Sequence, residues 1–347
     1  HRMLDHYLHT AHQAAALTNP SQILISLTPP AEGAHTEDFA EDTRRAAGWF
    51  SAEQAVLLAA VEQAATHRYD AHAWQLAWAV NDHLHRRGLW QDQEAVHLAA
   101  MEAALRLGDP VAQAHAHRGL AAATTDLGRL EEGRVHAERS IELLTDSGDR
   151  GACAESYNYL AYVAGRQGDL EDALGAVQRS LAIYRADDDS GGDDSRRRTA
   201  VAATLNGVGW FHTRLGQHQQ ALDHCQQALA LQQELGDDSS AADTWDSIGL
   251  ALHHLGRYDE AVTSFRNALD LYQQTGGPPW YTAAALGRLG DTYLSAGQPD
   301  AARAAWTEGL DILEQLSHAD AEPLRVRLRR LDEPSGPSKA ERRGADS

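Results

Sequence analysis

Residues 244–265 read TWDSIGLALHHLGRYDEAVTSF. Trp245, Ile248, Gly249 and Leu252 recur at spacings of three, one and three, which puts them on one side of a helix. Gly256 interrupts that pattern, and Ala261, Phe265 and Ala268 begin a second helical face beyond it. The stretch therefore reads as a helix, a glycine turn and a second helix. It also contains two adjacent histidines, His253 and His254, whose role depends on what the hairpin belongs to.

Outward from this hairpin, its second half recurs. LEEGRVHAERSIEL, LEDALGAVQRSLAI, HQQALDHCQQALAL, YDEAVTSFRNALDL and PDAARAAWTEGLDI superimpose, each just after a glycine. Those glycines are Gly128, Gly168, Gly216, Gly256 and Gly297, at spacings of 40, 48, 40 and 41, with Gly88 a further 40 upstream. A small residue lies twelve positions before the first small residue of each second helix: Ala121, Ala161, Gly209, Gly249 and Gly290. Glycine inside a helix costs about 1 kcal/mol against alanine, so close helix approach is the expected compensation. This arrangement resembles the tetratricopeptide (TPR) repeat, a helical hairpin of about 34 residues with W-x2-L-G-x2-Y on its first helix and A-x3-F-x2-A on its second. Leu286, Leu289, Gly290 and Tyr293 with Ala302, Trp306 and Gly309 form another copy. The expected fold is all-α, a right-handed superhelical solenoid of TPR-like hairpins with a period of about 40 residues.

The repeats are expected over 49–320. Ser51 with Gln54 reads as a capping box opening AEQAVLLAAVEQA. Residues 1–48 read as a connector helix, RMLDHYLHTAHQAAAL, and a linker in which Pro20, Pro29 and Pro30 enclose QILISL. The run DDDSGGDDSRRR at 187–198 accounts for the long 48-residue interval and is expected to be a mobile loop. Residues 321–347 read as an arginine-rich end, LRVRLRRL, and a disordered polar tail.

Composition excludes several functions. The formal charge of −20, from 50 acidic against 30 basic residues, argues against direct contact with nucleic acid, whose phosphates require a basic face. Lys339 is the only lysine and no G-x-x-x-x-G-K-[ST] run is present, so a phosphate-binding loop is not expected. Cys153 and Cys225 lie in separate helical patterns, which suits a reducing cytoplasm rather than a disulfide framework. No apolar run is long enough for a membrane span. Histidines such as His83 and His85, or His115 and His117, are two apart and point to different sides of a helix, so neither a metal site nor a cofactor is expected. No nucleophile elbow is visible, and no catalytic residues are assigned.

What remains is the groove that stacked hairpins create. In TPR proteins it is lined by residues of the first helices that lie between the packing positions. Transferring those positions selects Trp78, Arg86, Arg118, Asn158, Tyr162, Arg166, Asn206, Trp210, Arg214, Asp246, His253 and His254 as groove-binding candidates. Asn158 and Asn206 are equivalent and can bond both N–H and C=O of an extended peptide. Tyr162 and Trp210 form an aromatic pair, and Arg86, Arg166 and Arg214 form a row of cations continued by His254, suited to a carboxylate or phosphate. The alternative is that the arginines pair with Glu155 or Asp246 of neighbouring hairpins and the aromatics pack within the solenoid.

Several segments also resemble the C-terminal region of the AfsR/SARP-type transcriptional regulators of actinobacteria. They are LDHYLHTA (4–11), WFSAEQAVLLAAV (49–61), AWQLAWAVNDHLHRRGLW (73–90), GVGWFHTRLG (207–216) and TWDSIGLALHHLGRYDEAV (244–262). In that family a DNA-binding domain, an activation domain and a nucleotide-binding NB-ARC module precede terminal TPR repeats. The resemblance implies that this chain, which opens with His1, is the end alone, starting just after an NB-ARC region. Its implied role is regulatory, binding a peptide or protein segment that could belong to its own upstream domains. A free-standing TPR adaptor and a small-molecule sensor with a closed apolar pocket are the alternatives.

Overall fold

The computed structural model describes residues 1–145, 147–186, 194–316 and 321–332, and among them it contains helices and no strand. The chain forms two compact units, His1–Thr244 and Trp245–Ser347. The first holds α1 (Arg2–Thr18), α2 (Thr43–Thr66), α3 (Asp70–Arg86), α4 (Trp90–Leu107), α5 (Pro110–Asp126), α6 (Leu130–Thr145), α7 (Arg150–Gln167), α8 (Leu170–Ala186), α9 (Asp194–Arg214) and α10 (His218–Leu235). α11 (Asp238–His254) begins in the first unit, and the second unit continues with α12 (Tyr258–Thr275), α13 (Pro279–Ser295), α14 (Pro299–Gln315) and α15 (Ala321–Asp332).

The 40-residue period is two half-periods of about 20. From α3 to α8 helices of 16 to 18 residues alternate with turns of a few residues, and each of those turns has a glycine: Gly88, Gly108, Gly128, Gly148 and Gly168. Gly128 has φ +84° and Gly168 φ +94°, a left-handed conformation that a side chain would strain. The amide after each of them bonds back five residues, Arg129 to Thr124 O at 2.8 Å and Asp169 to Ala164 O at 2.9 Å, which satisfies carbonyls at the helix ends. After Gly108, Gly148 and Gly236, which lie between hairpins, an aspartate caps the next helix. Asp109 accepts from the Val111 and Ala112 amides, Asp149 from Ala152 and Asp237 from Ser240. Compared with a 34-residue repeat, the extra residues lengthen both helices by about one turn.

Close approach within hairpins occurs where the small residues predict it. A Cβ on Gly209 would lie 2.3 Å from Cys225 Sγ, and in the second unit one on Gly249 would lie 2.8 Å from the Phe265 ring. There Gly290 gives the same room to Trp306, whose Nε1 donates to Gly287 O at 3.1 Å.

Two expectations are corrected. α2 opens at Thr43, capped by Asp42, and Ser51 lies inside the helix with its hydroxyl donating to Ala47 O, so Ser51 and Gln54 form no capping box. α9 starts at Asp194, so the end of DDDSGGDDSRRR is helical, while 187–193 lie outside the described residues, as do 333–347 of the polar tail. The arginine-rich end forms α15, which packs on α14 with Arg327 paired to Asp291 at 3.0 Å and Arg325 to Glu314 at 2.8 Å.

Residues 1–48 share the core of the first unit. Leu4, Leu8 and Ala11 of α1 are buried with Phe50, Leu57 and Leu76 of α2 and α3. The extended residues after α1 then pass over the first helices of the hairpins. His12 contacts Ile25 O at 3.0 Å, Gln75 of α3 donates to Ser26 O at 3.4 Å, and Asn19 donates to Asp82 at 3.3 Å.

Candidate ligand-binding groove

In the first unit α3, α5, α7 and α9, the first helices of successive hairpins, pack side by side. Between them lies a cavity of about 540 Å³. α7 supplies Asn158, Tyr162 and Arg166 at spacings of four, one turn apart on one face, and α9 supplies Trp210, Phe211 and Arg214. Val177 and Tyr184 of α8 reach it as well. Asn19, Ser21 and Gln22 of the extended segment form part of its wall.

Its charges are largely matched. Arg118, 5% exposed, pairs with Glu155 at 2.6 Å. The other oxygen of Glu155 accepts the Ile23 amide of the extended segment at 2.7 Å. Burial raises the Glu155 carboxyl above its usual range, against the opposing pull of Arg118 and the Ile23 N–H. Asp126 accepts from Tyr162 Oη, from Arg166 Nη1 at 2.9 Å and contacts His85 at 3.2 Å. Burial works to raise the Asp126 carboxyl, and the bonds from His85 and Tyr162 outweigh it and hold it low. Burial and the Asp126 charge push the Tyr162 hydroxyl up. Arg214 is different: it donates to Gly165 O at 2.9 Å and, among the described residues, forms no ion pair.

Asn158 donates to Thr204 at 3.4 Å, and its Oδ1 is buried without a hydrogen-bond partner. Below it, Asn81 braces the floor, donating to Tyr159 at 3.3 Å and bonded by Gln93 at 3.0 Å and His97 at 2.8 Å. Burial lowers His97 to about 3, so it is a neutral ring. It lies where a Cβ on Gly119 would otherwise be, 2.2 Å away.

The structure thus brings Arg118, Asn158, Tyr162, Arg166, Trp210 and Arg214 to one cavity. Arg86 and Asn206 line a neighbouring cavity of about 220 Å³ that shares Asn19, Ser21 and Ala203 with the first. Arg86 pairs there with Asp82 at 2.9 Å, and Asn206 contacts Cys225 Sγ at 3.6 Å. Trp78 departs from expectation: it is 2% exposed and packs in the core 5.3 Å from the His12 ring, because α1 covers that end of the groove. The remaining candidates belong to the second unit, where Asp246 and His253 serve packing between its hairpins and His254 is exposed. Asp246, 6% exposed, pairs with Arg288, and His253 contacts Thr292 at 3.0 Å with the His254 ring edge-on at 5.2 Å. Positional transfer missed the segment 19–23 and the α8 residues Val177 and Tyr184. The short apolar run of QILISL between prolines, rich in isoleucine and leucine, was the available signal for an extended segment seeking a partner.

Among the described residues one trio, His1, Asp5 and His72, brings possible metal-ligating atoms within 4.8 Å of one another. Asp5 is engaged there with His72 at 2.7 Å and with the Ala31 amide at 3.0 Å, ties that fasten α1 to α3 and to the extended segment. No helix of the described residues is long and apolar enough to cross a membrane.

Hairpins of this kind, with glycine turns and a groove on their first helices, define a helical-repeat protein. The chain belongs to the tetratricopeptide-repeat family, whose profiles match residues 111–186, 201–241 and 240–315. Its sequence is similar to the regulatory protein AfsR of Streptomyces griseus, 27% identical over 367 residues covering 94% of this chain and 35% of that protein. AfsR of Streptomyces coelicolor is 29% identical over 251 residues, 72% of this chain and 24% of that protein. The chain therefore spans about a third or less of the length of these relatives. In fold it is similar to a Rap protein complexed with competence and sporulation factor, with TM-score 0.55 and 14% identity over 76% of this chain and 75% of that one. It is also similar to a STAND signal-transduction ATPase with a tetratricopeptide-repeat sensor from Pyrococcus horikoshii, with TM-score 0.53 and 15% identity over 82% of this chain and 45% of that one.

Proposed function

We propose that the chain is the sensor module of an AfsR-type multidomain transcriptional regulator in the cytoplasm. It binds a polypeptide segment along the first helices of its hairpins, and it is not itself an enzyme. The observation that carries this reading is that the groove already holds an extended chain. Its own segment donates the Ile23 amide to Glu155 on α7 and offers the Ser26 carbonyl to Gln75 on α3. Main-chain bonding of this kind tolerates many sequences, while Trp210 and Tyr162 supply surfaces for side chains. The similarity to AfsR suggests the regulator's own upstream domains as the partner, and the Rap protein, similar in fold, was crystallised in complex with competence and sporulation factor. A net charge of −20 leaves DNA contact to other parts of such a regulator.

The test is titration calorimetry of this chain against the upstream domains of its parent regulator, with Trp210→Ala and Arg214→Glu as variants. The expected result is saturable binding that both variants weaken, with the melting temperature of Arg214→Glu near that of the parent chain. Absence of binding to any upstream domain would remove the intramolecular form of the proposal. Binding unaffected by either variant would place the interface elsewhere.

A further inference from the structure

We infer that the 540 Å³ cavity of the first unit is a site for a small amphipathic monocarboxylate carrying an N–H or O–H donor, a ligand distinct from any polypeptide partner. The volume falls in the range of small-molecule sites. Residues Asn19 to Gln22 wall one side of it and are held by the Ile23 amide bond to Glu155, so a polypeptide crosses the cavity only after displacing that segment. A compact ligand fits without displacing it.

The charge follows from the pairing. Arg118 is matched by Glu155, Arg166 by Asp126, and Asp82 by Arg86. Arg214, with only the Gly165 carbonyl, leaves one positive charge uncompensated among the described residues. One planar guanidinium suits one carboxylate, whereas a phosphate dianion would set excess negative charge beside Glu155 and Asp82. The donor requirement comes from two acceptors. Asn158 Oδ1 and Gln22 Oε1 are buried without partners, and Gln22 is 8% exposed. Tyr184, Trp210 and Phe211 supply flat apolar walls for the body of the ligand. An N-acylated aromatic amino acid carries all three features, and the end of a peptide shares its chemistry.

The probes are N-acetyl-L-tryptophan, its neutral carboxamide, and a pentapeptide ending in tryptophan with a free carboxylate, titrated into the full chain by calorimetry and thermal shift. The acid is expected to bind and raise the melting temperature, with the carboxamide weaker by about tenfold. Arg214→Gln should remove that tenfold preference while the unliganded melting temperature stays unchanged, since Arg214 is exposed and, among the described residues, outside any ion pair. Ala203→Phe, which narrows the cavity from α9, should weaken the acid and the carboxamide alike. No binding of the acid up to about 10 mM, equal binding of acid and carboxamide, or an acid preference that survives Arg214→Gln overturns the inference. A pentapeptide binding about tenfold tighter than the free acid overturns it in favour of a peptide end. The inference stands apart from the polypeptide reading, because upstream domains can bind while these acids do not, and the reverse.

Discussion

Replacing Glu155 with glutamine tests whether the extended segment and the groove are held by one buried ion pair. Glu155 is 9% exposed and Arg118 5%, with 2.6 Å between their charged atoms. Glutamine keeps the size and an acceptor for the Ile23 amide but leaves the Arg118 guanidinium buried without a counter-charge. Breaking a buried pair from one side costs about 3–5 kcal/mol, and the retained amide oxygen places Glu155→Gln near the low end, about 3 kcal/mol. Converting the Ile23 bond from a charged to a neutral acceptor adds about 1 kcal/mol. In the double variant with Arg118→Met no charge is stranded, and only the weakened Ile23 bond and some packing remain, about 1–2 kcal/mol. The two changes together are therefore less damaging than Glu155→Gln alone, a coupling of at least about 2 kcal/mol. Urea unfolding followed by circular dichroism gives the stabilities, and hydrogen exchange of a fragment containing 20–28 reports the segment directly. That fragment should exchange faster in Glu155→Gln while α1 keeps its protection. A loss below about 1 kcal/mol in the single variant, or simple additivity in the double, would refute the buried pair.

Two further outcomes follow from the packing. His97 is lowered to about 3 and His83 and His117 to about 4, each first by burial, so all three are neutral in the fold and take up protons near pH 6.5 once unfolded. The unfolded state then binds more protons, and stability falls as pH drops from about 6.5 towards those values, by up to about 1.4 kcal/mol per unit for each histidine. His97→Gln should flatten that slope by one histidine's share in urea titrations between pH 6 and 4, and an unchanged slope would contradict its burial as a neutral ring. In the second unit Gly290→Ala puts a Cβ 2.4 Å from the Trp306 ring and should destabilise by about 1–3 kcal/mol. Combining it with Trp306→Leu should recover part of the loss, and a neutral Gly290→Ala would show that the helices separate freely.

The hairpins were legible because their determinants are local. A turn glycine about every 20 residues, the aspartates after Gly108, Gly148 and Gly236 and a small residue opposite a large one are local features, so spacing alone reveals them. Arg166, Asn158, Trp210 and Arg214 were legible for the same reason, since α7 and α9 repeat one register. Trp78 was misplaced because its cover, His12 on α1, lies 66 residues earlier in the chain and no periodicity connects them. Ser51 shows the limit of a local pattern: a serine three residues before glutamine also occurs inside a helix, and Asp42 was the actual cap. The arginines split between both readings. Arg118 and Arg166 are matched by acids of neighbouring hairpins, whereas among the described residues Arg214 is not, and only the packing of helices decides which acid reaches which arginine.

That difference bears on how two ligands of one groove would interact. The Ile23 amide, Glu155 and Arg118 form a chain that fixes residues 19–23 against α7, and Gln22 of the same segment lines the cavity with its amide oxygen buried and unpartnered among the described residues. A small ligand bonded to Gln22 favours the seated segment, while a polypeptide taking the bonds of Ser26 and Ile23 requires it displaced. The two ligands then prefer opposite states of the segment, and linkage makes their antagonism mutual: each weakens the other by the same factor. Glu155→Gln, by loosening the segment, should weaken the small acid and strengthen the polypeptide. A shift of both affinities in the same direction would show that the segment is a fixed wall rather than an occupant.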